Sequence, residues 1–256
     1  VYGVTEYRRY YPEGDATAHV IGFTDLDDKG KEGVELEFEE RLQGVAGRKQ
    51  VIRDRKGNKV KDIAEIQPAK PGQDIYLSFD ARVQYIANRE LAAVVAESGA
   101  KAGYLVALDV ETGEVLAMVN QPTYNPNNRT TLNPQQLRNR AVIDMFEPGS
   151  TMKVLTVAAA LESGKYTPES QFNTHPGTMQ VHNHLVRDHE DYGVIDLGTI
   201  ITKSSNVGVT QIALSLPREG LPTFFQRFGF GKTTGSGFPG ESRGLMQPPN
   251  AWNPVE

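Results

Sequence analysis

The first candidates for chemistry in this sequence are two pairs of a serine and a lysine that lie three residues apart. Ser150 and Lys153 belong to FEPGSTMKVLTVAAALESG, residues 146–164, which is typical of a loop that turns into a helix. Ser98 and Lys101 form the second pair. Positions i and i+3 share one face of a helix, so each pair would be neighbours. The spacing alone therefore does not separate a reactive site from chance.

The position of Ser150 at a helix start gives the first pair a physical reason to react. Pro148-Gly149 places Ser150 in the first turn, where free N–H groups and the helix dipole favour the oxyanion of an acyl transfer. Lys153 is a base only when neutral, which requires burial or a nearby cation to lower its pKa. The alternative is a serine that only caps the helix and a solvated lysine. Ser98 lies at a helix end beside Gly99, and we attribute it to chance.

A second candidate motif, Ser204-Ser205-Asn206, stands at another predicted helix start. A Ser-x-Asn places a hydroxyl beside an amide, so the hydroxyl can relay a proton while the amide holds a substrate carbonyl. The alternative is ordinary helix capping with local turn bonds. The combination of the two motifs, with their order and flanking residues, is what favours a catalytic site.

The composition of the 256 residues is that of a globular protein with one large domain or two modest ones. A net charge of −5 without a large basic cluster argues against a nucleic-acid partner. The sequence has no cysteine, which excludes disulfides and thiolate nucleophiles. No apolar run reaches the ~18 residues that span a bilayer, so no membrane span is expected within the chain. Because Val1 is not a natural start, the chain is expected to be a segment that a signal or anchor could precede.

Residues 1–72 are predicted to form a small α+β module. PAKPGQD, residues 68–74, marks its boundary because prolines and a glycine interrupt both periodicities. The module has one helical candidate, GVELEFEERLQG. Two strands, VIRD and KVKDIAEI, flank a turn at residues 55–58.

Longer elements follow residue 74. IYLSF is predicted as a strand, and Asp80 as the N-cap of a helix that ends near Gly99. GYLVALDV and GEVLAMVN are predicted as a β-hairpin, and NPQQLRNRAVI as a helix. Asp196 and Ser205 are predicted to cap two short helices, and LPTFFQRFG forms a final helix.

FEPGSTMK followed by KSSNVG closely resembles the motif set of the penicillin-binding proteins. RRYYPEGDATAHVIGF, GVELEFEERLQG, GEVLAMVNQPTYNPNN and RNRAVIDMFEPGS agree, so the likeness runs nearly the whole length. The sequence is similar to the class B penicillin-binding proteins of Gram-negative bacteria, the division-type peptidoglycan D,D-transpeptidases of the penicillin-binding protein 3 family.

The resemblance implies an α+β fold in two parts. Residues 1–72 correspond to a small non-catalytic pedestal module. Residues 73–256 correspond to the N-terminal part of the transpeptidase domain, which has a serine β-lactamase-like fold with a central antiparallel sheet and helices on both sides. The domain is expected to be truncated at its C-terminal side, with the last strands missing.

The resemblance also implies roles for four residues. Ser150 is the acylated nucleophile, and Lys153 is the base that takes its proton. Ser204 passes a proton to the leaving amine and Asn206 orients the donor peptide, so both bind substrate. The implied reaction carries the acyl group of a D-Ala-D-Ala stem peptide to an amine through an acyl-enzyme, without cofactor or metal. β-Lactam antibiotics would acylate the same serine.

The likeness to division proteins implies a cellular setting. The reaction would cross-link peptidoglycan during septal wall synthesis. Membrane proteins of the division machinery are expected partners. The expected location is the periplasmic side of the bacterial inner membrane, with an N-terminal anchoring helix outside this chain.

The family's third motif, Lys-Thr/Ser-Gly, is not found. Lys232-Thr233-Thr234-Gly235 has one residue too many and follows a helix end, so it is not that motif. The chain alone is therefore expected to be incomplete and inactive. A non-catalytic scaffold fragment that binds division partners and a D,D-carboxypeptidase remain alternatives. A β-lactamase is disfavoured because the string from Glu169 to Asn173, similar to its deacylation motif, precedes Ser-x-Asn instead of following it.

Two further groups of residues are assigned structural roles instead of a binding site. His182, His184 and His189, with an aspartate at position 188 or 191, could form a metal site, but MQVHNHLVRDHEDYG is typical of a surface hairpin with solvated histidines. Three phenylalanines at helical spacing are assigned to the core instead of a ligand pocket; they are Phe224, Phe225 and Phe228.

Overall fold

A computed structural model describes residues 8–130, 133–248 and 251–252 of the chain. The fold is mixed α/β, as the sequence predicts, and divides into two compact units. The first unit contains residues 1–144 and 235–241, and the second contains residues 145–234 and 242–256.

The first unit combines short helices with antiparallel strand pairs. Its helices are a 3-10 helix at Gly14–Ala16, α1 (Ala18–Ile21), α2 (Gly33–Glu37), α3 (Glu39–Leu42), α4 (Ala81–Ser98), α5 (Pro134–Leu137) and α6 (Arg140–Ile143). Its strands are β1 (Phe23–Thr24), β2 (Gly30–Glu32), β3 (Arg48–Arg53), β4 (Lys59–Gln67), β5 (Gly103–Leu108) and β6 (Val115–Gln121). β1 pairs with β2, β3 with β4 and β5 with β6, all antiparallel.

Local signals account for α4 and the hairpin beside it. Asp80 accepts hydrogen bonds from the N–H groups of Arg82 and Val83, and Gly99 ends α4 in the left-handed conformation, as predicted. Ala87 of α4 is buried against Ala117 and Val119 of β6. The β5–β6 hairpin is thus one strand pair with α4 packed on it.

Three predictions for the first unit need correction. IYLSF is not a strand. Its Ser78 Oγ donates to Val115 O of β6 at 2.8 Å, and just after it Asp80 N donates to Leu116 O at 2.9 Å. GVELEFEERLQG splits into α2 and α3 because Phe38 leaves the helical conformation. NPQQLRNRAVI likewise splits into α5 and α6, where Arg138 becomes extended. In addition, α1 was not predicted.

The second unit carries both sequence motifs. A 3-10 helix at Gly149–Met152 leads into α7 (Lys153–Glu162). The remaining elements are β7 (Gln171–Asn173), β8 (Thr178–Val181), β9 (His184–Arg187), β10 (Val194–Asp196), α8 (Leu197–Thr202), α9 (Asn206–Ser215) and α10 (Gly220–Arg227). β8 pairs with β9 and β7 with β10, both antiparallel.

The core of the second unit lies under α7, α8 and α9. Buried apolar side chains from these helices and from β7 and β10 form it; they are Val157, Ala160, Phe172, Ile195, Leu197, Ile200 and Ile212. Asp196 caps α8 and Ser205 caps α9, as predicted. On α10, Phe224 and Phe225 are buried, but Phe228 is 58% exposed, so its assignment to the core is wrong.

Candidate active site

Ser150 is exposed and lies in the 3-10 helix that precedes α7. Gly149, the residue before it, has a φ of 60°, a conformation that glycine adopts without strain. The sequence predicts an α-helical turn here, whereas the structure has the tighter 3-10 form. Side chains at i and i+3 eclipse in that form, so Ser150 and Lys153 point toward the same side.

Lys153 is buried, with 9% of its surface exposed, at the start of α7. Its Nζ donates hydrogen bonds to the Ser-x-Asn motif. They reach Ser204 O at 2.5 Å, Ser204 Oγ at 2.9 Å and Asn206 Oδ1 at 2.6 Å. The two motifs that the sequence singles out therefore meet in one site.

Ser204 links the lysine to the candidate nucleophile. Its Oγ donates to Ser150 Oγ at 3.1 Å and accepts from Lys153 Nζ. Ser204 joins α8 to α9 with a φ of 54°, an uncommon conformation for a residue other than glycine. A short row of polar atoms thus runs from Ser150 through Ser204 to Lys153.

Asn206 uses both ends of its amide within the site. Oδ1 accepts from Lys153 Nζ, and Nδ2 donates to Arg187 O at 2.8 Å. An amide oxygen has two lone pairs and an amide nitrogen has two hydrogens, so one of each is left for a ligand.

Burial lowers the pKa of Lys153 from its ordinary value, because the charged ammonium is poorly solvated there. The negative charge of Asp188 acts in the opposite direction and raises that pKa. The net direction is downward, which favours the neutral amine that a base requires.

Asp188 contacts the candidate site, although the sequence indicated it only as a possible metal ligand. It follows β9, and its carboxylate accepts from Ser205 Oγ at 2.7 Å, Asn206 N at 2.5 Å and Val207 N at 3.0 Å. The sequence shows a polar segment with two aspartates ahead of Ser-x-Asn, which could have indicated a partner for the motif. Which aspartate reaches the motif depends on contacts between segments that are distant in sequence.

The histidines of the β8–β9 hairpin lie outside this arrangement. His182 occupies the turn between the strands, His184 begins β9 and His189 follows Asp188; all three are exposed. In the part of the chain that the structure describes, no three side chains of His, Cys, Asp or Glu are grouped so as to hold a metal ion.

Comparison with known protein families gives two matches. The family described as "Penicillin binding protein transpeptidase domain" matches residues 103–256, which include both motifs. The chain belongs to the penicillin-binding protein transpeptidase family. Residues 1–77 match a second family, "Penicillin-binding Protein dimerisation domain".

Relatives within the penicillin-binding protein family cover nearly the whole chain. The peptidoglycan D,D-transpeptidase FtsI of Escherichia coli K12 is 42% identical over 251 residues, which are 98% of this chain and 42% of that protein. The probable peptidoglycan D,D-transpeptidase PenA of Neisseria meningitidis serogroup A is 44% identical over 253 residues, 98% of this chain and 43% of PenA. The chain thus spans less than half the length of these relatives.

Solved structures agree with this membership. Penicillin-binding protein 3 of Mycobacterium tuberculosis, without ligand, superposes with a TM-score of 0.82 at 31% identity, over 96% of this chain and 52% of that one. The transpeptidase domain of penicillin-binding protein 3 from Burkholderia pseudomallei superposes with a TM-score of 0.63 at 36% identity. The match covers 72% of this chain and 51% of that one. Among the described residues of this chain, no helix has the length and apolar character needed to cross a membrane.

Proposed function

We propose that this chain carries the nucleophile and the proton-transfer groups of a serine acyltransferase. Ser150 is the nucleophile, Lys153 the base and Ser204 the group between them. One observation carries the proposal: Ser204 Oγ lies 3.1 Å from Ser150 Oγ and 2.9 Å from Lys153 Nζ. These distances are within hydrogen-bond reach, as a nucleophile and its base require.

The partners of Lys153 define the path of the proton. Ser204 O and Asn206 Oδ1 only accept hydrogen bonds. A neutral amine has two N–H donors for these oxygens, and its lone pair then faces the Ser204 hydroxyl. With a neutral Lys153, the Ser204 hydroxyl rotates, and its two hydrogen bonds run opposite to those described above. Ser204 then donates to Lys153 Nζ and accepts from Ser150, so it can give its proton to Lys153 while it takes the proton of Ser150.

The reaction follows from this path. Ser150 Oγ attacks the carbonyl carbon, and its proton passes through Ser204 to Lys153. The oxyanion is favoured by free N–H groups at the start of the helix. When the intermediate collapses, the C–N bond breaks, and the leaving amine takes the proton from Lys153 through Ser204. A second amine then attacks the acyl carbon and loses one proton to the same base. The C–Oγ bond breaks, and Ser150 Oγ takes that proton back through Ser204. Asn206 offers its remaining donor and acceptor to the substrate amide.

The substrate proposal rests on the relatives, two of which are called peptidoglycan D,D-transpeptidases. The donor is a stem peptide that ends in D-Ala-D-Ala, the acceptor is an amine on a neighbouring strand, and β-lactams acylate Ser150. Within this proposal, residues 1–72 are non-catalytic and residues 73–256 belong to the transpeptidase domain. The protein works on the periplasmic side of the inner membrane, in septal synthesis, with membrane proteins of the division machinery.

The test is the intact mass, after treatment with benzylpenicillin, of the longest form of the protein that contains this chain, because the chain alone is expected to be inactive. We expect one benzylpenicilloyl adduct on the wild type and none on Ser150→Ala. Ser98→Ala is the matched control, because Ser98 belongs to the other Ser-x-x-Lys and donates its hydroxyl to Val94 O at a helix end. It should carry the adduct. An unmodified wild type, or an adduct on Ser150→Ala, would contradict the proposal.

A second assay separates the transpeptidase from a D,D-carboxypeptidase. The protein is incubated with a D-Ala-D-Ala peptide and a D-amino acid as acceptor. Transpeptidation yields the exchanged peptide, whereas a carboxypeptidase yields only the shortened one.

A further inference from the structure

Asp188 touches three consecutive residues of the turn that carries Ser-x-Asn. Its Oδ2 accepts the Ser205 hydroxyl, and its Oδ1 accepts the N–H groups of Asn206 and Val207. The backbone of Asp188 is itself held in place, because its N–H donates to Gly177 O at 2.9 Å. These contacts join the base of the β8–β9 hairpin to the start of α9.

The turn between α8 and α9 needs such an anchor. Ser204 has a positive φ, a conformation that is strained for a residue other than glycine and persists only where neighbouring contacts enforce it. Ser205 is fully buried, and its Oγ accepts from Gly208 N while it donates to Asp188. The negative carboxylate also lies at the positive end of the α9 dipole.

We propose that Asp188 is a positioning residue of the Ser150–Lys153 site, whose carboxylate fixes the 204–207 turn so that the Ser204 hydroxyl stays between Ser150 and Lys153. It acts through the turn and not on the reacting atoms. The inference rests on the proposed function, since its chemical effect is read as acylation of Ser150.

The charge of Asp188 has a second effect on the site. It raises the pKa of Lys153 against the effect of burial, so the amine is a stronger base than burial alone would leave it. Titratable side chains also lie on α7, β9, α8 and α10 or at the ends of these elements; they are Glu162, His184, Arg187, Asp196, Lys203, Glu219 and Arg227. Glu162 and Arg227 pair with each other.

Two substitutions separate the geometry from the charge. Asp188→Ala removes both, whereas Asp188→Asn keeps an oxygen for the Asn206 and Val207 N–H groups and removes the charge, together with the oxygen that accepts the Ser205 O–H. In Asp188→Asn, the Ser205 hydroxyl can accept from the new amide. Asp191→Asn is the matched control, because Asp191 lies in the same segment but contacts His175 and Gly193 N.

The experiment measures the rate of acylation by penicillin against pH, together with the melting temperature of each variant. For folded Asp188→Ala we expect a rate about 10–100-fold below wild type, since a misplaced group costs that order. Asp188→Asn should keep most of the rate at alkaline pH, with its acidic limb moved to lower pH because the pKa of Lys153 falls. Asp191→Asn should match the wild type.

Two readouts do not depend on acylation. The pKa of Lys153, followed by NMR of its side chain, should fall in Asp188→Asn and stay constant in Asp191→Asn. Amide hydrogen exchange at residues 206–207 should speed up in Asp188→Ala. A folded Asp188→Ala with wild-type acylation overturns the inference and leaves the proposed function intact. If the wild type is not acylated, the proposed function fails. In that case the inference is still tested: amide exchange unchanged in Asp188→Ala, together with an unchanged pKa of Lys153 in Asp188→Asn, overturns it.

Discussion

Lys153 makes the proposed acylation depend on pH, because only its neutral form accepts a proton. Burial lowers the pKa of Lys153, so the neutral fraction rises at a lower pH than for a solvated lysine. We therefore expect the acylation rate of Ser150 to increase with pH and to level off below the ordinary lysine pKa of 10.5. The measurement is the rate of adduct formation by rapid quench and mass spectrometry. A rate that is constant from acid to alkaline pH would contradict Lys153 as the base.

Replacing Lys153 with arginine keeps the positive charge and removes the base. A guanidinium does not deprotonate in proteins and has no acceptor. Loss of general base catalysis costs on the order of 100- to 10,000-fold in rate, so acylation of Lys153→Arg should fall by that much at every pH. Lys165→Arg is the control, because the Nζ of the exposed Lys165, in the same unit, contacts Ser215 O and the Tyr166 ring. Equal acylation in the two variants would show that charge alone suffices.

Ser204 provides a separate test of the proton path. Without its hydroxyl, the row of polar atoms between Ser150 and Lys153 is interrupted. Ser204→Ala should therefore acylate at least about 100-fold more slowly, the lower end of the effect of a proton-transfer group. Ser163→Ala is the control, because Ser163 donates to Ala160 O at the far end of α7. A wild-type rate in Ser204→Ala would mean that Lys153 takes the proton directly.

The residue scale also shows how far sequence reasoning reaches. Ser150 and Lys153 were found because neighbours in sequence are neighbours on a helix. Ser204 and Asn206 were found as a second local motif. The contact of Asp188 with Ser205 joins a hairpin to a helix, and nothing in the spacing of the two specifies it. The grouping of the two motifs was thus predictable from local patterns, whereas the contact of Asp188 with them was not.

At the scale of elements, prediction worked where one side chain decides a boundary. Asp80, Asp196 and Ser205 cap their helices as predicted, because a cap depends on backbone groups two or three residues away. The strand predicted for IYLSF was wrong, because a strand needs a neighbouring strand to pair with, and the composition of a segment does not specify one. The 3-10 form at Ser150 was also missed, since α and 3-10 turns share the same sequence signals.

The contact between α8 and α9 predicts different effects on stability for alanine substitutions at two glycines, Gly208 and Gly198. A Cβ on Gly208 of α9 would lie 2.7 Å from Cγ1 of Ile200, a fully buried side chain of α8. Gly208→Ala should therefore lower the free energy of unfolding by about 1–3 kcal/mol. It should also slow acylation, because α9 begins at Asn206.

Gly198 on α8 is the matched control for Gly208. A Cβ there meets only Asp196 Oδ1, at an ordinary 3.6 Å. Gly198→Ala should be neutral or stabilise by up to about 1 kcal/mol, because alanine favours the helix. Thermal unfolding of both variants tests the prediction. Equal melting temperatures would mean that the two helices separate easily.

At the scale of the whole molecule, family matches and compact units divide the chain differently. The two families match residues 1–77 and 103–256, whereas the first compact unit runs through residue 144. Helix α4 lies between the matched segments, and its fully buried Gln84 bonds both of them. Gln84 Nε2 donates to Ala16 O at 2.7 Å and Met118 O at 2.8 Å, while Oε1 accepts from Met118 N at 2.8 Å. One side chain thus connects the two families' segments inside the first unit.

Gln84→Leu tests whether this connection stabilises the protein without taking part in the chemistry. The change leaves a buried N–H and two buried carbonyls without their side-chain partner, which should lower the free energy of unfolding by about 3 kcal/mol. The melting temperature should fall by about 2–4 °C for each kcal/mol. Gln226→Leu, an exposed change on α10, is the control and should have little effect. Because Ser150, Lys153 and Ser204 all lie in the second unit, acylation per folded molecule at 25 °C should stay at the wild-type rate in both variants. A parallel fall of that rate in Gln84→Leu would show instead that the first unit takes part in forming the site.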